Sequence, residues 1–143
     1  MRWPTAILRA IFKGNSSSPS IGPRHLQDGV RGERRAEKFL RDQKHQVLAR
    51  NYHCPGGELD LVTRDIDTIV FVEVKARRDD SAADPLEAVS RVKWSRVERA
   101  ALHFRARHRL EDSPCRFDLI TIIWNGDEPR IEHIEHAHEM GGK

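Results

Sequence analysis

The chain has 143 residues, which is long enough for one domain with a hydrophobic core and too short for two. Apolar residues make up 38% and charged residues 33%, and no apolar run approaches the roughly 20 residues of a membrane-spanning helix, so a helical membrane protein is excluded and a soluble protein is expected. The net charge of +3 permits a polyanionic partner, and two cysteines without CxxC spacing or secretory context predict reduced thiols in the cytoplasm.

The N-terminal segment differs in composition from the rest of the chain. Residues 1–25 predict a disordered or weakly ordered tail, because residues 16–23 are rich in Ser, Pro and Gly. The apolar stretch TAILRAIF, interrupted by Arg9, leaves open the alternative of a weak amphipathic membrane or partner anchor. We expect one folded domain over residues 26–138 and a short C-terminal tail over residues 139–143.

The first predicted element is a helix over residues 28–43, with Asp28 as its N-cap. Ala36 and Leu40 fall on one helical face. Glu33 precedes these two residues by three and seven positions, so it is predicted to face the core side. A carboxylate on the inner face needs a partner, which makes Glu33 a candidate site residue.

The middle of the chain alternates strand and turn signals. A strand begins at Val47, a loop is predicted over residues 51–57, and a second strand follows. Alternation in the second strand predicts one apolar and one acidic face, formed by Leu59 and Leu61 and by Glu58 and Asp60. After a turn at residues 64–67, TIVFVEVKA is rich in β-branched residues and predicts a central strand that is covered on both faces.

The last third of the chain predicts a helix over residues 85–108, then the strands RFDLITIIW and PRIEHIEHAH. In RFDL, Arg116 and Asp118 lie two apart on one strand face and predict an ion pair that orders the sheet. The order of elements indicates an α/β fold with a mixed β-sheet flanked by helices.

The predicted hairpin contains acids at positions that bring them together. Glu73 and Lys75 share one face of the apolar strand, and the acidic face around Asp60 meets them if the two strands pair. Crowded carboxylates raise each other's pKa unless a positive group lies between them. A divalent cation held by two carboxylates and a strand carbonyl would relieve the crowding and suits phosphodiester hydrolysis, with the lysine steadying the attacking water. The alternative is a set of cross-strand ion pairs without catalytic meaning.

Asp60 followed by Glu73-Val74-Lys75 resembles the D…ExK signature of the PD-(D/E)xK nuclease superfamily. Over residues 29–138 the chain also resembles, block by block, the YraN-like family (UPF0102), which is akin to archaeal Holliday-junction resolvases. The matching blocks are GVRGERRAEKFL, RNYHCPGGELDLVTRD, FVEVKARR, AVSRVKWSRVERAALHF and RFDLITI.

This resemblance implies a restriction-endonuclease-like fold and a Mg²⁺- or Mn²⁺-dependent endonuclease-like hydrolase acting on DNA. The catalytic pattern carries over onto Asp60, Glu73 and Lys75, with Glu33 as the acid on the helix. Of these, Asp60, Glu73 and Glu33 are the implied metal ligands. Resolvase-like enzymes tend to act as dimers, so a homodimer is a further expectation, and no membrane partner is expected.

Two other groups of side chains were candidate sites. Arg77, Arg78 and Lys93, together with the arginine-rich second helix, are predicted to contact a phosphate backbone, although a solvated helix face is the plain alternative. His133, His136 and His138 offer nitrogen ligands, but their spacing fits neither one strand face nor one helix face, so we do not predict a zinc site there.

Two functions from different classes therefore remain. The first is a metal-dependent nuclease acting on DNA, including branched or recombination intermediates. The second is a non-catalytic nucleic-acid-binding or adaptor protein that retains the nuclease fold. The complete acidic set favours the first, whereas the modest net charge favours the second.

Overall fold

The computed structural model describes residues 24–77, 84–126 and 128–141, which form five strands and two α-helices. A single 3₁₀ turn, Pro85–Ala88, precedes the second helix. The elements in chain order are α1 (Arg24–Asp42), β1 (Gln46–Cys54), β2 (Gly57–Asp65), β3 (Thr68–Arg77), α2 (Arg91–Arg107), β4 (Cys115–Asn125) and β5 (Glu128–His138).

The five strands form one mixed sheet in the order β1-β2-β3-β4-β5. Only β3 and β4 are parallel, and α2 makes the crossover between them. The other neighbours pair antiparallel. This α/β architecture, with a mixed sheet between two helices, is as predicted and is consistent with a restriction-endonuclease-like fold.

The central strand β3 is covered on both faces because its two sets of alternate side chains enter two different cores. Phe71 packs with Phe104 and the rest of the α2 core. Val70 and Val72 pack with Ala36 and the rest of the α1 core. The two helices therefore lie on opposite faces of the sheet, as the apolar pattern of this strand predicted. Glu73 and Lys75 follow Phe71 at intervals of two and so belong to the α2 face.

The helix starts and one loop differ from the sequence-based predictions. α1 begins at Arg24, so Asp28 lies within the helix and is not its N-cap. β1 continues to Cys54, which reduces the predicted loop over residues 51–57 to two residues. The second helix begins only after Ser90, whose side chain accepts a hydrogen bond from the backbone N–H of Lys93.

The predicted apolar face of β2 is also wrong. Leu59 packs in the α2 core and Leu61 in the α1 core, although the two residues are two positions apart. The paired strand β1 has an irregularity between Val47 and Ala49, and Asn51 has a left-handed φ of 47°. Asn51 lies between the pairs Arg50–Leu61 and Tyr52–Leu59, and strict alternation of the β2 side chains does not hold across Asp60.

Some predictions fall on parts of the chain that the structure does not describe. Residues 1–23, which make up most of the proposed tail, lie outside the described residues, and so does Arg78. Within the described ranges, neither helix combines the length and hydropathy that crossing a bilayer requires.

Candidate active site

The candidate site lies where β2 and β3 separate. Their ladder runs from Asp65 and Thr68 at the turn to Leu61 and Val72, and it ends there. Beyond this point the carboxylate of Asp60 takes the place of a backbone partner, because its Oδ2 accepts a hydrogen bond of 2.9 Å from the Val74 N–H. We call this opening between the two strands the fork.

Glu73 lies on the other side of the fork and is only 3% exposed. Its Oε2 is buried without a hydrogen-bond donor among the described residues. The Asp60 carboxylate is within hydrogen-bonding reach. Because both groups are acceptors when ionised, they can remain in contact only with a proton or a cation between them. Burial, followed by repulsion from Asp60, raises the pKa of Glu73 to about 8, and burial also raises the pKa of Asp60.

Glu33 reaches the fork from α1. The helix lies unusually close to β3 at this point, since a Cβ on Gly32 would be 2.7 Å from the Cβ of Ala76. Burial and then the Asp60 charge raise the pKa of Glu33 to about 7, against the opposing effect of a hydrogen bond with Asn51. The inward orientation that the sequence predicted for Glu33 is confirmed.

The opposite face of the sheet contributes Lys93 from α2. A Cβ on Gly57 would overlap the carbonyl oxygen of Arg96 and lie 2.8 Å from the backbone N of Ala100, so β2 and α2 are nearly in backbone contact. This closeness brings the Lys93 Nζ to 2.6 Å from Glu58 Oε1 and 3.7 Å from Glu73 Oε1. Burial opposes the charge on Lys93, but its hydrogen bond to Glu58 and the nearby Glu73 raise its pKa overall.

Lys93 was predicted as a nucleic-acid contact that could reach towards the site from the apolar stripe of its helix, and Glu58 was not assigned a role in the site. The structure places both in the acid cluster. The signals in the sequence were the position of Glu58 two residues before Asp60 and the position of Lys93 at the edge of the apolar stripe of α2. The hydrogen bond to Lys93 lowers the pKa of Glu58, in contrast to the raised pKa values of the other three acids.

Lys75 lies two residues beyond Glu73 and is half-buried. Its charge contributes a lowering effect on the pKa of Glu73. Within the described part of the chain, it forms no ion pair. Thr121 is opposite Lys75 in the parallel ladder, and its buried hydroxyl also has no hydrogen-bond partner among the residues that the structure describes. Sequence reasoning missed this threonine, because an isolated hydroxyl in an apolar strand gives no functional signal.

The donor set of the fork fits a small hard cation. Mg²⁺ usually binds one or two protein carboxylates and completes its shell with water. Asp60 and Glu73 supply two carboxylates, and the Oε2 of Glu73, which has no hydrogen-bond donor in the described ranges, supplies a free lone pair. Among residues 24–77, 84–126 and 128–141, no three acidic, histidine or cysteine side chains converge as a complete ligand set. Glu33 lies near enough to Asp60 for the charge of that carboxylate to raise its pKa, so it borders the two carboxylates.

The C-terminal histidines point to different partners. His133 Nε2 lies 2.7 Å from Asp118 Oδ2 on the α1 side of the sheet. His138 stacks on Trp94 with ring centroids 4.7 Å apart, and its Nε2 lies 2.6 Å from Glu98. Between them, β5 is bulged, and His136 has a φ of 52°. These contacts attach the last strand to β4 and to α2.

The Asp118 carboxylate is the centre of a second buried polar cluster. The predicted ion pair with Arg116 is confirmed, with Nε 3.1 Å from Oδ1. The backbone N–H of His136 donates to the same carboxylate at 3.2 Å. Arg116 continues the network to Asp65, with Nη1 3.1 Å from Oδ2.

The predicted phosphate contacts are only partly described. Arg77 ends β3 and is half-buried, two residues beyond Lys75. Four arginines on α2 are exposed, namely Arg91, Arg96, Arg99 and Arg107. Arg96 is close enough to Glu58 to lower the pKa of that acid, which places a positive charge beside the fork.

Comparison with known proteins identifies the family. A family model described as "Uncharacterised protein family UPF0102" matches residues 32–122, which include all four acids and both lysines of the site. A UPF0102 protein of Geobacter metallireducens is 43% identical over 112 residues, covering 78% of this chain and 92% of the relative. One from Pelobacter propionicus is 43% identical over 132 residues, covering 89% and 94%. One from Alkalilimnicola ehrlichii is 38% identical over 129 residues, covering 90% and 99%. The chain therefore belongs to the UPF0102 family.

Proposed function

We propose that this protein is a metal-dependent nuclease of the PD-(D/E)xK superfamily, related to the archaeal Holliday-junction resolvases, that hydrolyses phosphodiester bonds in DNA. The observation that carries this proposal is the contact between Asp60 and Glu73 in the fork. Two buried carboxylates without a donor between them are unfavourable in a purely structural role. They are favourable if the position is made for a cation.

Each residue of the fork has a distinct part in this proposal. Asp60 and Glu73 hold Mg²⁺ or Mn²⁺, and Glu33 adds a carboxylate at the rim. A cation held there would supply Lewis-acid polarisation of a phosphoryl oxygen and a water molecule of lowered pKa. Lys75 lies on the Glu73 face and has no competing ion pair with any described residue, so its ammonium group can donate hydrogen bonds to the attacking water or to the developing negative charge.

The surroundings of the fork favour a polyanionic substrate. Arg77 continues β3 beyond Lys75, and Arg78 follows it in the sequence. Arg96 adds a charge from α2. We propose that these residues contact the DNA backbone, and that branched or recombination intermediates are the substrates. Resolvase-like activity would require a homodimer to cut two strands.

The decisive experiment is a cleavage assay on linear, nicked and four-way-junction DNA with Mg²⁺ and with Mn²⁺. We expect the wild-type protein to cut at least one of these substrates and Glu73→Ala to cut none. Glu111→Ala is the matched control, because it removes an exposed acid far along the chain from the fork.

A protein that binds these DNAs but cuts none of them under either metal would be a nucleic-acid-binding or adaptor protein that retains the fold. Absence of binding to linear, single-stranded or branched DNA or RNA at low salt would contradict both functions.

A further inference from the structure

We propose that Lys93 is a displaceable internal cation, which compensates part of the charge of the fork when no metal is bound and is transferred fully to Glu58 when a metal enters. The inference rests on the proposed function, since it assumes that Asp60 and Glu73 bind a divalent cation. It assigns a regulatory role in metal loading to two residues, Lys93 and Glu58, that are outside the catalytic set.

The geometry of the ammonium group is the first argument. Lys93 Nζ lies between two carboxylates, at hydrogen-bonding distance from Glu58 (2.6 Å) and at a longer ion-pair distance from Glu73 (3.7 Å). The remaining oxygen of Glu73 is buried and has no donor among the described residues. Lys93 thus compensates the charge of Glu73 only in part and leaves one oxygen free for a stronger cation.

The position of Glu58 is the second argument. Its side chain is 31% exposed, whereas that of Glu73 is 3% exposed, so Glu58 can hold an ammonium group at the rim with access to water. His53 Nδ1 lies 3.8 Å from its other oxygen. A lysine that moves towards Glu58 therefore leaves the buried carboxylate while keeping a hydrogen-bonded partner.

The backbone around Lys93 is fixed, so the movement is confined to the side chain. The Ser90 cap binds the backbone N–H of Lys93 at 3.1 Å, and Gly57 holds β2 against α2 one turn further on. A lysine stem has four rotatable bonds, which is sufficient to shift the ammonium group between two neighbouring carboxylates. The formal charges of four acids and two lysines sum to −2 in this cluster, which one divalent cation would neutralise.

The test is a calorimetric Mn²⁺ titration, without nucleic acid, of the wild type, Lys93→Met, Glu58→Gln and the double variant. Lys93→Met should bind Mn²⁺ about tenfold more tightly, the effect expected when a charge-assisted contact no longer competes. Glu58→Gln should bind more weakly, because Lys93 is then confined to Glu73. The double variant should match Lys93→Met, since Glu58 acts through the lysine. Arg91→Met is the matched control for loss of one positive charge from the same helix.

Independent electrostatic effects give a different pattern. If Glu58→Gln weakens Mn²⁺ binding equally with and without Lys93, the two residues are not coupled and the inference is wrong. It is equally wrong if Lys93→Met and Arg91→Met have the same affinity, or if the wild type binds no Mn²⁺. Thermal melts with EDTA establish that each variant is folded.

The two proposals can fail separately. A protein that shows the coupled Mn²⁺ affinities but cuts no DNA supports the displaceable lysine and contradicts the nuclease. A protein that cuts DNA but shows additive affinities supports the nuclease and contradicts the displaceable lysine.

Discussion

Asp118 and Glu73 are buried carboxylates on neighbouring strands, and their surroundings are opposite. Asp118 is fully buried and accepts hydrogen bonds from Arg116, His133 and the His136 backbone. These donors lower its pKa in spite of its burial. Glu73 is 3% exposed and faces another carboxylate, with an ammonium group only at 3.7 Å, so its pKa rises to about 8.

The comparison shows that burial alone does not determine whether a charged group is structural or functional. Asp118 has a full set of donors within the protein, and those donors attach the bulged strand β5 to β4. Glu73 has an oxygen without a donor in the described chain, so the protein leaves its interactions incomplete. A buried group with satisfied partners stabilises the fold, whereas one with unsatisfied partners indicates a ligand.

The largest effect is expected for Asp118→Asn. This change leaves the buried Arg116 guanidinium with less compensating charge, so we expect the free energy of unfolding to fall by about 3–5 kcal/mol. Urea denaturation at neutral pH measures this decrease, and Asp112→Asn, which changes an exposed acid, is the control. If the free energy of unfolding falls no more than in the control, Asp118, like Glu73, does not stabilise the fold.

The pH dependence of stability should differ between the two carboxylates. The folded-state pKa of Glu73 is raised, so the metal-free protein should lose stability as pH rises from about 5 to about 8, by at most about 1.4 kcal/mol per pH unit for each proton. The folded-state pKa of Asp118 is lowered, so its contribution is present above its unfolded pKa and is lost as pH falls through the folded value.

Urea titrations in EDTA across this pH range test the difference. Glu73→Gln should flatten the alkaline side of the profile, and Asp118→Asn should flatten the acid side. An unchanged alkaline slope in Glu73→Gln would mean that Glu73 is ionised in the folded protein throughout.

Metal affinity should depend on one region only. Asp60→Ala should weaken Mn²⁺ binding by about tenfold or more, because it removes one of two charged ligands. Asp65→Ala, which removes an acid of the Arg116 network at the other end of β2, should leave Mn²⁺ binding unchanged. Calorimetry on both proteins gives the answer, and equal affinities in the wild type and Asp60→Ala would exclude the fork as a metal site.

Glu73→Gln should have a small or favourable effect on stability in the absence of metal. Removing one of two crowded carboxylates relieves repulsion, so the melting temperature in EDTA should equal that of the wild type or exceed it. If Glu73 instead anchors a structural ion pair with a lysine, its removal should destabilise the protein by about 3–5 kcal/mol. A clear drop in melting temperature would thus show that Glu73, like Asp118, is a structural group that stabilises the fold.

The smallest expected effect is a change in DNA affinity. Charge reversal at Arg77 and Arg78 should lower affinity and flatten the dependence of log affinity on log salt, by about 0.9 for each lost phosphate contact on a duplex. Lys75→Ala should leave binding almost unchanged while abolishing cleavage, because its proposed place is at the scissile phosphate. Gel shifts at two salt concentrations with Ca²⁺ distinguish residues that bind the DNA backbone from a residue that acts only in cleavage. Loss of binding in Lys75→Ala would make it a backbone contact instead.

Sequence patterns correctly predicted the structural features that depend only on local periodicity. The apolar density of β3, the parity that places Glu73 with Lys75 and the pairing that brings Asp60 to Glu73 all follow from strand geometry. The same parity failed between Leu59 and Leu61, which enter cores on opposite faces of the sheet. The alternation of β2 breaks opposite Asn51, whose backbone is left-handed, and the sequence of β2 carries no signature of that break.

The contact between Glu58 and Lys93 could not be predicted from the sequence for a different reason. The two residues are 35 positions apart, and their distance is set by the approach of two backbones at Gly57. A glycine in a short loop is usually explained by its turn, so its role in helix packing is visible only in the structure. The network around Asp118 was predicted only for Arg116, since the bulge that brings the His136 N–H to it depends on tertiary packing.

The two glycine contacts also give the fork mechanical properties. Gly57 couples β2 to α2, and Gly32 couples β3 to α1, while the backbones of the two strands pair only from Leu61 and Val72 towards the turn. The last backbone pair, Leu61 and Val72, is therefore placed as a hinge, with one helix packed on each of the two strands. A ligand that draws Asp60 and Glu73 together would change the separation of the two helices. The distance between labels placed on α1 and α2 would then report whether the fork is occupied.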